Sequence, residues 1–141
     1  MAAADAARPH VRAGFALTRA RPLWAILSDM ATQAALELRW QNGCIRPQAL
    51  SNALGETVFT LDGDMLEAGG ATVSDTAEEE LVTEVAVAYR AGSDTAAIAI
   101  RDEEACALHG PRRLALDGWM LADRTSARWV AEFWLRRLRH R

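Results

Sequence analysis

The stretch LVTEVAVAYR, residues 81–90, constrains the fold more than any other part of the chain. Leu81, Thr83, Val85, Val87 and Tyr89 fall on one face at period two, and Val82, Glu84, Ala86, Ala88 and Arg90 on the other, which is the pattern of a β-strand. AGSD, residues 91–94, reads as a turn. TAAIAIR and RRLALDGWML then read as a second and a third strand.

Helical periodicity flanks these strands. In PLWAILSDMATQAALELRW, residues 22–40, Pro22 suits a first turn, and Leu23, Ile26, Leu27, Met30, Ala34 and Leu38 form one apolar stripe. Ser28, Asp29, Thr32, Gln33, Glu37 and Arg39 make the polar face. QNG, residues 41–43, is expected to stop this helix. CIRPQAL reads as a short strand broken by Pro47, Thr57 to Leu61 as another before a turn at Asp62-Gly63, and residues 69–80 as a loop. Near the C-terminus Asp123 is a suitable N-cap for a helix buried through Ala127, Val130, Ala131, Trp134 and Leu138, with arginines at its end complementing the dipole. Residues 1–21 look like an arm, in which GFALTRA could add an edge strand. Residues 22–141 then form a single α+β domain, an antiparallel sheet with an N-terminal and a C-terminal helix packed on it.

The chain has 141 residues, enough for one domain with a real core. Its net charge of −3 gives no uniform field to draw nucleic acid or a membrane. All 16 basic residues are Arg, so lysine chemistry is excluded. Cys44 and Cys106 lack metal-site spacing and read as buried free thiols. No apolar run approaches the roughly 18 residues that span a bilayer, and the Ala- and Arg-rich start lacks the apolar core of a secretory signal, so folding in a cytoplasm is expected.

His109 is the one histidine outside the two terminal segments, which hold His10 and His140, and His109, Gly110, Pro111 and Arg112 read as a structural turn. A catalytic role for His109 would need a nucleophile and an orienting acid at a recognisable spacing, and none is present. Asp102, Glu103 and Glu104 read as solvated loop acids. Asp62 and Asp64 resemble the start of a calcium loop, but Gly70 and Val73 stand where further ligands are needed. No glycine-rich phosphate loop occurs. No catalytic, cofactor-binding or metal-binding residue and no small-molecule substrate is therefore expected. The terminal RRLRHR admits two readings, a contact to phosphate or an acidic partner and a solvated helix end. Trp129, Phe133 and Trp134 face more than one side of their helix. With Arg136 and Arg137 they are the expected contact surface for a protein partner, in preference to nucleic acid.

The second half, from EEELVTEVAVAY through LHGPR to the Ala127-to-Ala131 helix, resembles a segment of phage tail hub and tail-tip proteins, the late-control and baseplate-hub group. LWAILSDMATQAALELRWQNG and FTLDGDML are similar to the segments preceding it, and the likeness spans residues 22–138. Leu108 stands where an aromatic is usual in that family. The resemblance implies a structural, non-enzymatic component of a virion or phage-like particle, assembled in the bacterial cytoplasm. It implies partners among other tail proteins and copies of the chain itself, with a trimer as one form. The alternatives are a small adaptor whose Arg-rich helix binds an acidic protein or nucleic acid, and, more remotely, a hydrolase using His109.

Overall fold

The computed structural model describes residues 11–17, 19–52 and 80–138. The expected strand at Thr57–Leu61, the turn at Asp62-Gly63 and most of the loop that follows lie outside the described residues. The element order is α1 (Leu23–Gln33), β1 (Leu36–Gln41), β2 (Cys44–Ala49), β3 (Glu84–Ala91), β4 (Asp94–Arg101), α2 (Glu103–His109), β5 (Arg113–Gly118) and α3 (Arg124–Leu138). This is an α+β fold. Among the described residues the strands form two sheets, a β1–β2 hairpin and a three-stranded sheet in the order β4-β3-β5.

The period-two stretch becomes β3, the centre of the larger sheet. It pairs antiparallel with β4 across the short turn at Gly92-Ser93, and parallel with β5. The parallel pair departs from the all-antiparallel sheet expected. A parallel neighbour cannot follow through a tight turn and needs a crossover, and α2 supplies it, carrying the chain from the end of β4 to the start of β5. Val85, Val87 and Tyr89 form the core with Leu121 and with Ala127, Val130, Ala131 and Leu135 of α3. Asp123 caps α3 as expected, its carboxylate accepting the Ser126 N–H at 2.8 Å and the Ser126 hydroxyl at 3.1 Å. The arm crosses this junction. Ala13 bridges Leu121 antiparallel, and Ser126 Oγ accepts the Arg12 N–H.

The first helix differs most from expectation. It ends at Gln33 instead of running to Trp40, and Ala35 turns the chain at φ +51°. Leu36–Gln41 is a strand, because Leu36, Leu38 and Trp40 alternate with Glu37, Arg39 and Gln41. The Asn42-Gly43 pair, which does not stop a helix, closes a hairpin. Both residues have positive φ, +51° and +76°, as a two-residue turn matched to strand twist requires. Pro47 does not break β2. It pairs with Leu38 in an outer strand, where a residue without N–H is tolerated.

The buried face of α1 is only partly the expected one. Ile26 is buried as expected, but Leu23 is 70 % exposed and Met30 39 %, whereas Gln33 of the expected polar face is buried. Polar contacts turn the helix. Asp29 accepts the Trp119 indole N–H at 3.0 Å, Gln33 Oε1 accepts the Met120 N–H at 3.1 Å, and the Thr32 carbonyl accepts the Trp134 indole N–H at 3.0 Å. Among the described residues Gln33 Nε2 is buried without a partner, a state that costs about 1–3 kcal/mol.

Candidate functional site

Of the residues expected to form a turn, His109 ends α2, and Gly110, Pro111 and Arg112 make the link to β5. Asp102 is an N-cap, its carboxylate accepting the Ala105 N–H at 3.1 Å, and Glu103 and Glu104 occupy the first turn of α2. They are helix acids, not loop acids. His109 is the last residue of α2, exposed, and Gly110 ends the helix at φ +77°. The His109 carbonyl accepts Arg112 Nε at 3.1 Å. Cys106 is half-buried, its sulfur 3.7 Å from the Thr83 carbonyl, and Cys44 is exposed at the hairpin turn, not buried as expected.

Thr83, read from sequence only as a strand residue, holds the crossover in place. It is 1 % exposed. Its hydroxyl accepts the Arg112 N–H at 2.8 Å and donates to the Gly110 carbonyl at 3.0 Å, while its own carbonyl accepts the Asp102 N–H. Beside it the buried Glu84 carboxylate meets two guanidiniums, Arg101 at 2.8 Å and Arg113 at 3.4 Å. The Glu84 hydrogen bond, then its charge, raises Arg101 further above its ordinary value, so Arg101 stays cationic. These contacts pin the start of the central strand to both neighbours. Thr83→Val keeps the shape but strands two backbone groups. A loss of about 1–3 kcal/mol in urea-unfolding stability is expected, with α2 amides exchanging faster. Unchanged exchange in α2 would contradict this role.

The aromatic ridge of α3 is engaged within the chain. Phe133 is buried, stacks on Trp129 at 5.5 Å and meets Trp134 edge-on at 5.6 Å. Trp134 is anchored to α1 through Thr32, and Asn52 Nδ2 donates to the Phe133 carbonyl. Part of this helix surface thus meets α1 and the 51–52 segment, while Trp129 and Trp134 stay partly exposed. Arg137 donates to the Ser51 carbonyl at 3.2 Å, Arg128 pairs with Glu132, and Arg136 is exposed.

Among the described residues the hairpin is one surface that carries exposed apolar side chains. Cross-strand partners share a face, so the register places Leu36, Leu38, Trp40, Ile45, Pro47 and Ala49 together on one side. Glu37, Arg39, Gln41, Cys44, Arg46 and Gln48 fall on the other. All of β2 is exposed, Trp40 is 71 % exposed, and its partner Ile45 37 %. Among the described residues no second layer covers the Trp40 and Ile45 end of this apolar face, and sheets ordinarily acquire one. The sequence carried this signal in the alternation either side of Asn42-Gly43, which the overlapping helical spacing of Leu23 to Leu38 obscured.

Among the described residues no three His, Cys, Asp or Glu side chains converge as a metal site would need, and no helix is long and apolar enough to cross a membrane. Comparison with protein-family models and with curated proteins finds no match.

Proposed function

We propose that the chain is a non-enzymatic assembly module of a phage-like tail, and that it joins copies of itself through the apolar face of the β1–β2 hairpin. The observation that carries the assembly reading is the solvent-facing Trp40 beside Ile45 and Pro47 on one face of the ribbon. Exposed aromatic anchors on an apolar patch are what protein interfaces concentrate. The contact is face to face. A two-residue turn makes Gln41 and Cys44 a hydrogen-bonded pair, and alternation then puts Pro47 at a position whose missing N–H lies on the outer edge. Strand addition along β2 would lack that donor. Packing of two such faces leaves Glu37, Arg39, Arg46 and Gln48 in water. The tail setting, and other tail proteins as further partners, rest on the resemblance of residues 22–138 to hub proteins.

Trp40→Ser tests the seam. The side chain contributes little to the monomer because it is mostly exposed, so circular dichroism and unfolding midpoint should stay near wild type. Self-association should weaken at least tenfold, about 1.4 kcal/mol or more. A variant that associates as the wild type does would overturn the assignment of the hairpin.

A further inference from the structure

β5 is an edge strand. It has β3 on one side, and among the described residues no strand lies on the other. The ladder fixes which of its backbone groups point outwards. The Arg112 carbonyl accepts the Glu84 N–H at 3.1 Å. Alternation then turns the N–H and C=O of Leu114, Leu116 and Gly118 towards β3, and those of Arg113, Ala115 and Asp117 away from it. Ala115 and Asp117 line a cleft of about 260 Å³ between this edge and α1. Their side chains share the sheet face of Ala86 and Ala88, opposite the face of Val87 and Leu116 that the same cleft reaches. β5 therefore meets the cleft at these two positions with its main chain.

An open edge of this kind is a template for another strand, and the residues along it select which one. Arg113, Leu114, Ala115, Leu116 and Asp117 run basic, apolar, small, apolar, acidic. Turned antiparallel on itself about Ala115, the segment sets Arg113 against Asp117 at both ends, Leu114 against Leu116, and Ala115 against its own copy. All three outward residues then fall at hydrogen-bonded positions. β4, at the other edge, has no such match. Asp94 pairs with Ala91 beside the turn, so the outward residues of β4 are Thr95, Ala97, Ala99 and Arg101, and none is acidic.

We propose that β5 pairs antiparallel with β5 of a second copy about a two-fold axis at Ala115, joining the two three-stranded sheets edge to edge. The contact is isologous, each copy giving and receiving the same groups. The charges set the partner and the register, since opposite charges across two strands stabilise and like charges repel. Arg113 keeps 59 % of its side chain exposed beside Glu84, and Asp117 is exposed. On the other face the second copy's Leu114 stands against Leu116 and enters the cleft towards Val87 and Val130. This contact is separate from the hairpin and does not rest on it.

The Trp40→Ser chain, without the hairpin anchor, isolates the contact. Amide hydrogen exchange is followed by NMR in dilute and concentrated protein. The Ala115 and Asp117 amides should exchange fast when dilute and at least about tenfold slower when concentrated, while those of Leu114 and Leu116, already bonded to β3, stay unchanged. Asp117→Arg, which sets Arg against Arg, should raise the dimer dissociation constant about tenfold or more, and Asp117→Glu should leave it within about threefold. Ala115→Pro replaces only the outward N–H and should abolish the dimer with the circular dichroism unchanged. A chain that stays monomeric at about 1 mM, a dimer in which Ala115 and Asp117 remain unprotected, or one indifferent to Asp117→Arg overturns the proposal. Protection at Ala115 reports on β5 alone, so its absence leaves the hairpin assignment standing, and failure of the hairpin assignment leaves this one standing.

Discussion

Gly118→Ala should destabilise the protein by about 3 kcal/mol or more, at or beyond the upper end of overpacking costs. A Cβ at Gly118 would lie 2.3 Å from the Ala88 carbonyl oxygen, 2.8 Å from Leu121 Cδ1 and 3.0 Å from Val87 Cγ1. Leu121 and Val87 are fully buried, so their side chains have little room to retreat. The oxygen belongs to the backbone of the central strand and cannot move without disturbing the parallel pairing of Tyr89 with Gly118. The cause is the closeness of approach where β5 ends against β3. Urea unfolding monitored by circular dichroism would show it. A variant within 1 kcal/mol of wild type, on the order of ordinary surface substitutions, would mean that β5 does not sit this close to β3.

Phe133→Ala should cost about 3–5 kcal/mol. The ring is buried between Trp129 and Trp134, and removing it empties the volume between them while loosening the indole that reaches the Thr32 carbonyl. The same substitution separates two views of α3. If the aromatic ridge were chiefly a seam between protomers, Phe133→Ala would leave the monomer stable and abolish association. As a cluster joining α3 to α1, it lowers the unfolding midpoint in a monomeric background. Unfolding at protein concentrations below any self-association distinguishes them.

How far the sequence foretold this fold depended on whether a local pattern had one reading or two. Val85, Val87 and Tyr89 alternate with no competing helical spacing, and β3 and β4 lie where the alternation puts them. Asp123 before a 3.6-periodic run marks α3 for the same reason. Residues 34–41 support both periods, since Leu38 continues the stripe of Leu27 and also alternates with Glu37 and Arg39. The tertiary preference for a hairpin at Asn42-Gly43 decided the matter. α2 was hidden because it is short and mostly exposed, although Asp102, two acids and Gly110 mark its ends. The orientation of α1 depended on Asp29 and Gln33 bonding to Trp119 and Met120, about 90 positions away in the chain, and no local pattern encodes a contact of that range. The candidate surface was displaced accordingly. Phe133 of α3 is buried and Trp134 reaches the Thr32 carbonyl, while the Trp40 face became visible only once its strand register was known.

The most direct measurement is the absolute mass of the purified wild-type chain by light scattering, over a range of protein concentrations and at low and high salt. Assembly through an apolar hairpin face predicts a closed multiple of 15.4 kDa, a dimer or trimer, that persists at high salt because burial of Trp40 and Ile45 is not screened. A mass of 15.4 kDa at every concentration and in both salts would contradict self-assembly.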